Sequence, residues 1–265
     1  MHATRISPPA SRDYHAPGLW AASGLIATYF LLQAVAATVL ALAIDASAGW
    51  GQTGPDADHA AWSVLRQPAM QALLAIFSLA VAAPLTLLMA RRKWPELWPL
   101  ARPPGFGFAL PRHCWFFVLA VVAGLAAPLL GGLLIQWLAH GHTVTQDIRQ
   151  LGGSTPLGWR IPLVLMVVGV GPLVEELLFR GVLLSALLRR WHVGWAVVLS
   201  SLVFALIHLP GLQFQWYALP ALTLLALTLA WLRLHSASIW PAILAHATNN
   251  LLGVIVWFVV PGAGG

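Results

Sequence analysis

The chain has 265 residues, 59% of them hydrophobic and only 8% charged, with a mean hydropathy of +0.80. Soluble domains carry about a quarter charged residues, so this composition excludes a soluble globular protein and describes an integral membrane protein with one membrane domain. The formal net charge of +6 does not point to nucleic acid, because the basic residues are dispersed among connecting segments, and the lone Cys114 excludes an intrachain disulfide or a cysteine-based metal site.

Residues 1–18 form a polar, proline-containing tail. The apolar run that follows is about 25 residues, longer than the core of a secretory signal and without its small-residue cleavage site, so it is expected to stay as a helix. A crossing helix needs roughly 20 mainly apolar residues. Seven candidate spans meet or approach that length, near 19–44, 69–90, 114–139, 161–188, 194–209, 216–232 and 237–260. The expected fold is an all-α polytopic transmembrane bundle of about seven spans; an eighth would require one segment to be split. Three parts follow: the tail 1–18, a three-span scaffold with its loops over 19–158, and a core over 159–260.

Lys and Arg concentrate in the cytoplasmic connections of membrane proteins. With the N-terminus cytoplasmic, that side holds Arg5, Arg12, Arg91, Arg92, Lys93, Arg102, Arg112, Arg189, Arg190 and Arg233, and the other side only Arg66, Arg149 and Arg160. Ten against three supports that orientation. The connection 91–112 is basic and carries five prolines, with Trp94 and Trp98 expected as interfacial anchors.

Ionisable residues inside spans are costly and mark functional sites by default. Glu175 and Glu176 are the acidic residues that fall within a span, Arg180 is the base, and His208 and His246 are the histidines, joined by Asn249 and Asn250. Counted from the basic end of each span at ~1.5 Å per residue, Glu175, His208, His246 and Asn250 lie ~14–21 Å deep. A shared depth describes one site. Glu176 and Arg180 are i,i+4 and can pair on one helix face. Glu175 lies about 100° around the helix, free for another partner. His246 and Asn250 are again i,i+4, and Asn249, on another face, reads as structural. Gly171-Pro172 should loosen the helix and free backbone groups nearby.

Two carboxylates in different environments, two imidazoles and an amide at one depth suit activated-water hydrolysis. Glu175 would be the general base, His208 would share or orient the water, and His246 with Asn250 would hold a developing oxyanion. Glu176 and Arg180 would support them. A structural ion pair alone would leave Glu175 without a partner. His246 and Asn250 could instead be interhelical hydrogen-bonding groups. A metal-dependent site formed by Glu175, His208 and His246 is a further alternative, although the spacing of a zinc-binding HExxH helix is absent; the expected reading needs no cofactor, with zinc as the rival.

These residues resemble the CPBP family, the CAAX-protease and bacteriocin-processing intramembrane proteases. Glu175–Arg180 matches its EExxxR motif, Phe204–His208 its FxxxH motif and His246–Asn250 its HxxxN motif, in the family's order, over about residues 159–260. The resemblance implies a glutamate-type intramembrane protease, once classed as a metalloprotease. In it the first glutamate and the FxxxH histidine activate water, while the HxxxN histidine and asparagine form the oxyanion hole. The expected partners are a peptide or membrane-protein substrate and the lipid bilayer, and the expected location is a bacterial inner membrane. Two other classes make different demands on the sequence. A non-catalytic immunity or scaffold protein would keep the fold without the reaction, and a proton-coupled transporter would show broken helices in both halves, whereas the polar residues here occupy one half.

Overall fold

The computed structural model describes residues 15–48, 63–140 and 147–259. Most of the tail 1–18 and of the outer connection 46–67, and residue 260, lie outside the described residues. Eight helices are described: α1 (Leu19–Ala48), α2 (Pro68–Lys93), α3 (Trp115–Ala139), α4 (Asp147–Ser154), α5 (Leu157–Leu188), α6 (Val193–Ile207), α7 (Leu219–Ser236) and α8 (Trp240–Val259). No strand occurs among the described residues, and the all-α bundle matches expectation.

Each expected span corresponds to a helix, but six, not seven, are long and apolar enough to cross a membrane. The exception is α6, whose 15 residues reach ~22 Å against a hydrocarbon core of ~30 Å. It stops at His208 because Leu209-Pro210 starts a tight turn over Pro210–Leu212. The short α4 is an addition that the hydropathy pattern did not reveal.

The centre of the bundle is α5, 32 residues long. Its second half is wrapped by α1, α6 and α7, so Leu177, Leu178, Phe179 and Val182 are fully buried with no lipid-facing side. The first half of α5 packs on α8, which in turn packs on α3 and α7. Helices α3 and α8 approach closely at Gly124, where a Cβ would stand 2.5 Å from the Ala245 carbonyl oxygen. The turn into α5 is tied to the far end of α8 by Arg160, which donates to the carbonyls of Thr155 (2.6 Å), Gly153 (2.9 Å) and Trp257.

The basic connection 94–112 folds back onto the bundle. Phe106 is fully buried, with Trp94 edge-on to it at 6.0 Å and Trp98 at 6.1 Å, and Trp98 stacks on Phe108 at 4.6 Å. Trp94 is itself buried. These tryptophans form the core of the connection. Arg233, counted as an ordinary basic residue near the surface, is also fully buried and donates to the carbonyls of Ala101 (2.8 Å) and Gly105 (2.7 Å). Gly107 makes that approach possible: its φ is +82°, and a Cβ there would lie 2.6 Å from the Arg233 Cζ.

Gly107→Ala should therefore destabilise the protein by roughly 1–3 kcal/mol through backbone strain, with steric displacement of Arg233 added. The check is thermal unfolding of the purified protein in detergent; an unchanged Tm would show that Arg233 does not hold this connection in place.

Candidate active site

Helices α5, α6 and α8 bring the three polar motifs together. Glu176 and Arg180, one turn apart on α5, form a buried pair with Nη1 3.0 Å from Oε1. Arg180 Nη2 also donates to the Ala226 carbonyl of α7 at 3.1 Å, and its guanidinium stands 4.5 Å over the Phe204 ring of α6. The expected i,i+4 pair is present, and it reaches three helices.

Glu176 has a second partner that the sequence did not indicate. Its Oε1 lies 2.9 Å from His246 Nδ1. A carboxylate is an acceptor, so His246 Nδ1 carries the proton and the ring is held with Nε2 pointing the other way. That Nε2 lies 3.8 Å from Glu175 Oε2, while His208 Nε2 lies 3.6 Å from the same oxygen. The Nδ1 of His208 faces the Phe204 carbonyl at 2.7 Å, so this nitrogen also carries a proton and Nε2 turns toward Glu175. Glu175 thus sits between two imidazoles, each fixed from behind. Phe204 fills the space among them, 4.5 Å from the His208 ring and 5.7 Å from that of His246; it is the site-forming residue whose role one-dimensional spacing obscured.

Asn250 is positioned by a backbone defect. In α5 the Gly171 N–H bonds the Met166 carbonyl, five residues back. The next carbonyl in that wide register, Val167, would need the N–H of residue 172, which is Pro172 and has none. Asn250 Nδ2 supplies the missing donor, 2.9 Å from the Val167 oxygen. An acceptor-only partner also fixes which end of the amide faces it. The Asn250 Oδ1 then accepts from Asn249 Nδ2 at 3.2 Å. An amide nitrogen has two protons, so one donor of Asn250 remains beyond the Val167 bond. The loosening expected at Gly171-Pro172 occurs, and its consequence is the orientation of Asn250.

Glu175, His208, His246 and Asn250 all line one cavity of about 1140 Å³, whereas Glu176 and Arg180 lie behind its wall. The remaining wall is mainly apolar and includes Ala127, Leu129, Gly131 and Ile135 of α3 and Ile148 and Leu151 of α4. Neither segment carries a chemical motif that would mark it in the sequence. Among the described residues no group of three or more His, Cys, Asp or Glu is arranged to hold a metal ion.

Comparison with known proteins falls on this same region. Residues 157–252, from the first residue of α5 into α8, match the family model described as type II CAAX prenyl endopeptidase Rce1-like. A protein of Bacillus subtilis (strain 168) named "Putative membrane peptidase YdiL" is 31% identical over 97 residues, which is 36% of this chain and 38% of the relative. The chain therefore spans well under half the length of that relative. No solved structure matches.

The backbone account of Asn250 makes a quantitative prediction. Asn250→Ala leaves the Val167 carbonyl without its donor, at a cost of about 1–3 kcal/mol. Pro172→Ala restores an N–H in register, so Asn250→Ala should cost less in that background. Equal losses in both backgrounds, measured by reversible unfolding in mixed micelles, would show that the proline does not set the amide.

Proposed function

We propose that the protein is a CPBP-type intramembrane endopeptidase that cleaves a peptide bond with water activated by Glu175, a reading supported by the Rce1-like match over residues 157–252. One observation carries this reading: Glu175, His208, His246 and Asn250 converge on one cavity, with a single Glu175 oxygen 3.6 Å and 3.8 Å from the two imidazoles.

With Nδ1 protonated, neutral His208 presents Nε2 as an acceptor, and Glu175 presents a carboxylate oxygen. Two acceptors 3.6 Å apart suit a water that donates to both, which leaves its lone pairs free and one directed at a substrate carbonyl. As the water oxygen bonds to the carbonyl carbon, its proton passes to Glu175 and the carbonyl oxygen becomes an oxyanion. Asn250 has one donor left for that oxyanion. His246 lies on the same side of the cavity, held through its other nitrogen by Glu176. Collapse of the intermediate breaks the C–N bond as the proton on Glu175 moves to the leaving amine. In this mechanism Glu176 and Arg180 position His246 and do not touch the reacting atoms.

The reading needs no metal. It places the protein in a bacterial cytoplasmic membrane, as an integral protein acting on a peptide or membrane-protein substrate.

Removal of a general base costs on the order of 10²–10⁴-fold in rate, so Glu175→Ala should abolish cleavage in cells. Comparative membrane proteomics of wild type and Glu175→Ala tests this: peptide termini present only with wild type support the protease and identify its substrate, and identical termini refute it, leaving the non-catalytic reading. With that substrate and purified protein, a chelator should leave the rate unchanged. A loss reversed by added Zn²⁺ would establish the metal-dependent alternative through Glu175, His208 and His246.

A further inference from the structure

Among the described residues, the cavity wall runs from the polar site toward the end of the bundle opposite the basic one. Its wall residues from helices that begin at the basic end start deep, at Ala127 on α3, Phe204 on α6 and His246 on α8. Those from helices that finish at the basic end stop deep, at Leu79 on α2, Glu175 on α5 and Leu225 on α7. The polar rim, including Gln71, Gln136 and Asp147, belongs wholly to the opposite end. Across that rim Gln213 Nε2 donates to Asp147 Oδ1 at 3.1 Å.

The basic end is closed by the connection 94–112. Its Phe106 side chain packs on α5 at Gly181, the residue after Arg180, where an added Cβ would lie 3.5 Å from the Phe106 Cβ. Backbone bonds stitch the connection to the start of α8, from the Ile239 N–H to the Gly107 carbonyl at 2.8 Å and from the Arg112 N–H to the Ser236 carbonyl at 3.1 Å. The Ser238 hydroxyl adds a bond to the Ala109 carbonyl at 2.6 Å, and Arg233 holds two more of its carbonyls. This is a built plug with a fully buried aromatic centre. It seals the Glu176–Arg180 side of the site.

The plugged end carries Arg91, Arg92, Lys93, Arg189 and Arg190, and the bias of such residues toward the cytoplasm is the strongest orientation signal in membrane proteins. We infer that the cavity takes its substrate from the non-cytoplasmic side, so that the substrate class is a membrane-anchored or exported polypeptide whose scissile bond is presented from that side. The substrate half of this inference rests on the proteolytic reading of the site; the access half does not.

Thiol accessibility in the full-length protein tests it. Cys114 is native, exposed and at the plugged end. In spheroplasts treated with the membrane-impermeant cation MTSET, wild-type Cys114 should stay unmodified until the membrane is permeabilised. In a Cys114→Ala background, Asp147→Cys at the rim and Leu222→Cys inside the cavity should react at least tenfold faster than Cys114 in sealed spheroplasts. Modification of Cys114 with protection of Asp147→Cys would overturn the inference, as would a Leu222→Cys that reacts only after permeabilisation. Cys114 needs no substitution, so a variant that fails to fold leaves the orientation measurable. The labelling is independent of cleavage: the expected pattern with identical wild-type and Glu175→Ala proteomes refutes the protease alone, and a reversed pattern with Glu175-dependent cleavage refutes the access route alone.

Discussion

One oxygen atom organises this structure. Glu176 Oε1 accepts from both Arg180 Nη1 and His246 Nδ1, at 3.0 Å and 2.9 Å, in a region without exposure to solvent. A charge so placed is tolerated only if it is paired and hydrogen-bonded, and the pairing of this one oxygen draws in four helices. Arg180 belongs to α5 but also bonds the α7 backbone and stacks over Phe204 of α6, and His246 brings α8. The same contacts leave His246 Nε2 aimed at Glu175. The two adjacent glutamates therefore divide the work of the site between a fixed interior charge and a carboxylate facing the cavity.

A second constraint acts through the backbone. A proline in the first half of α5 leaves one carbonyl, Val167, without an N–H, and inside a bundle such a group must find a donor. The donor is Asn250, from a helix 83 positions further along. The helical defect and the orientation of a polar side chain in the cavity are thus one feature. Wide turns of this kind are often found at functional sites, and here the reason is explicit: the irregularity exposes an acceptor that fixes the neighbouring amide.

The sequence made part of this legible for a simple reason. In a membrane bundle, position along a helix measures depth, so residues on separate helices can be placed in one layer before any helix packing is known. That argument grouped Glu175, His208, His246 and Asn250, which the cavity unites. Spacing within one helix likewise gave Glu176–Arg180. Azimuth between helices is not encoded so directly. The Glu176–His246 and Asn249–Asn250–Val167 contacts depend on how α8 is rotated against α5, which no period in either helix specifies. The cavity walls from α3 and α4 are mostly Ala, Gly, Leu and Ile, ordinary membrane composition, with Gln136 and Asp147 at the rim. Arg233 and Trp94 are of residue types common at membrane boundaries, and their burial in the folded connection follows from tertiary contacts that composition does not encode.

The central claim is that neighbouring carboxylates of identical chemistry do different things, and unfolding measurements on two isosteric variants test it without any substrate. Glu176→Gln removes the charge shared by Arg180 and His246 and leaves Arg180 buried without its counter-charge, a loss of about 3–5 kcal/mol for a broken buried pair. Glu175→Gln removes a charge that faces the cavity and should leave the Tm in detergent unchanged or raised. A marked loss of stability in Glu176→Gln with none in Glu175→Gln is the result this account predicts; equal losses, or the larger loss in Glu175→Gln, would contradict it.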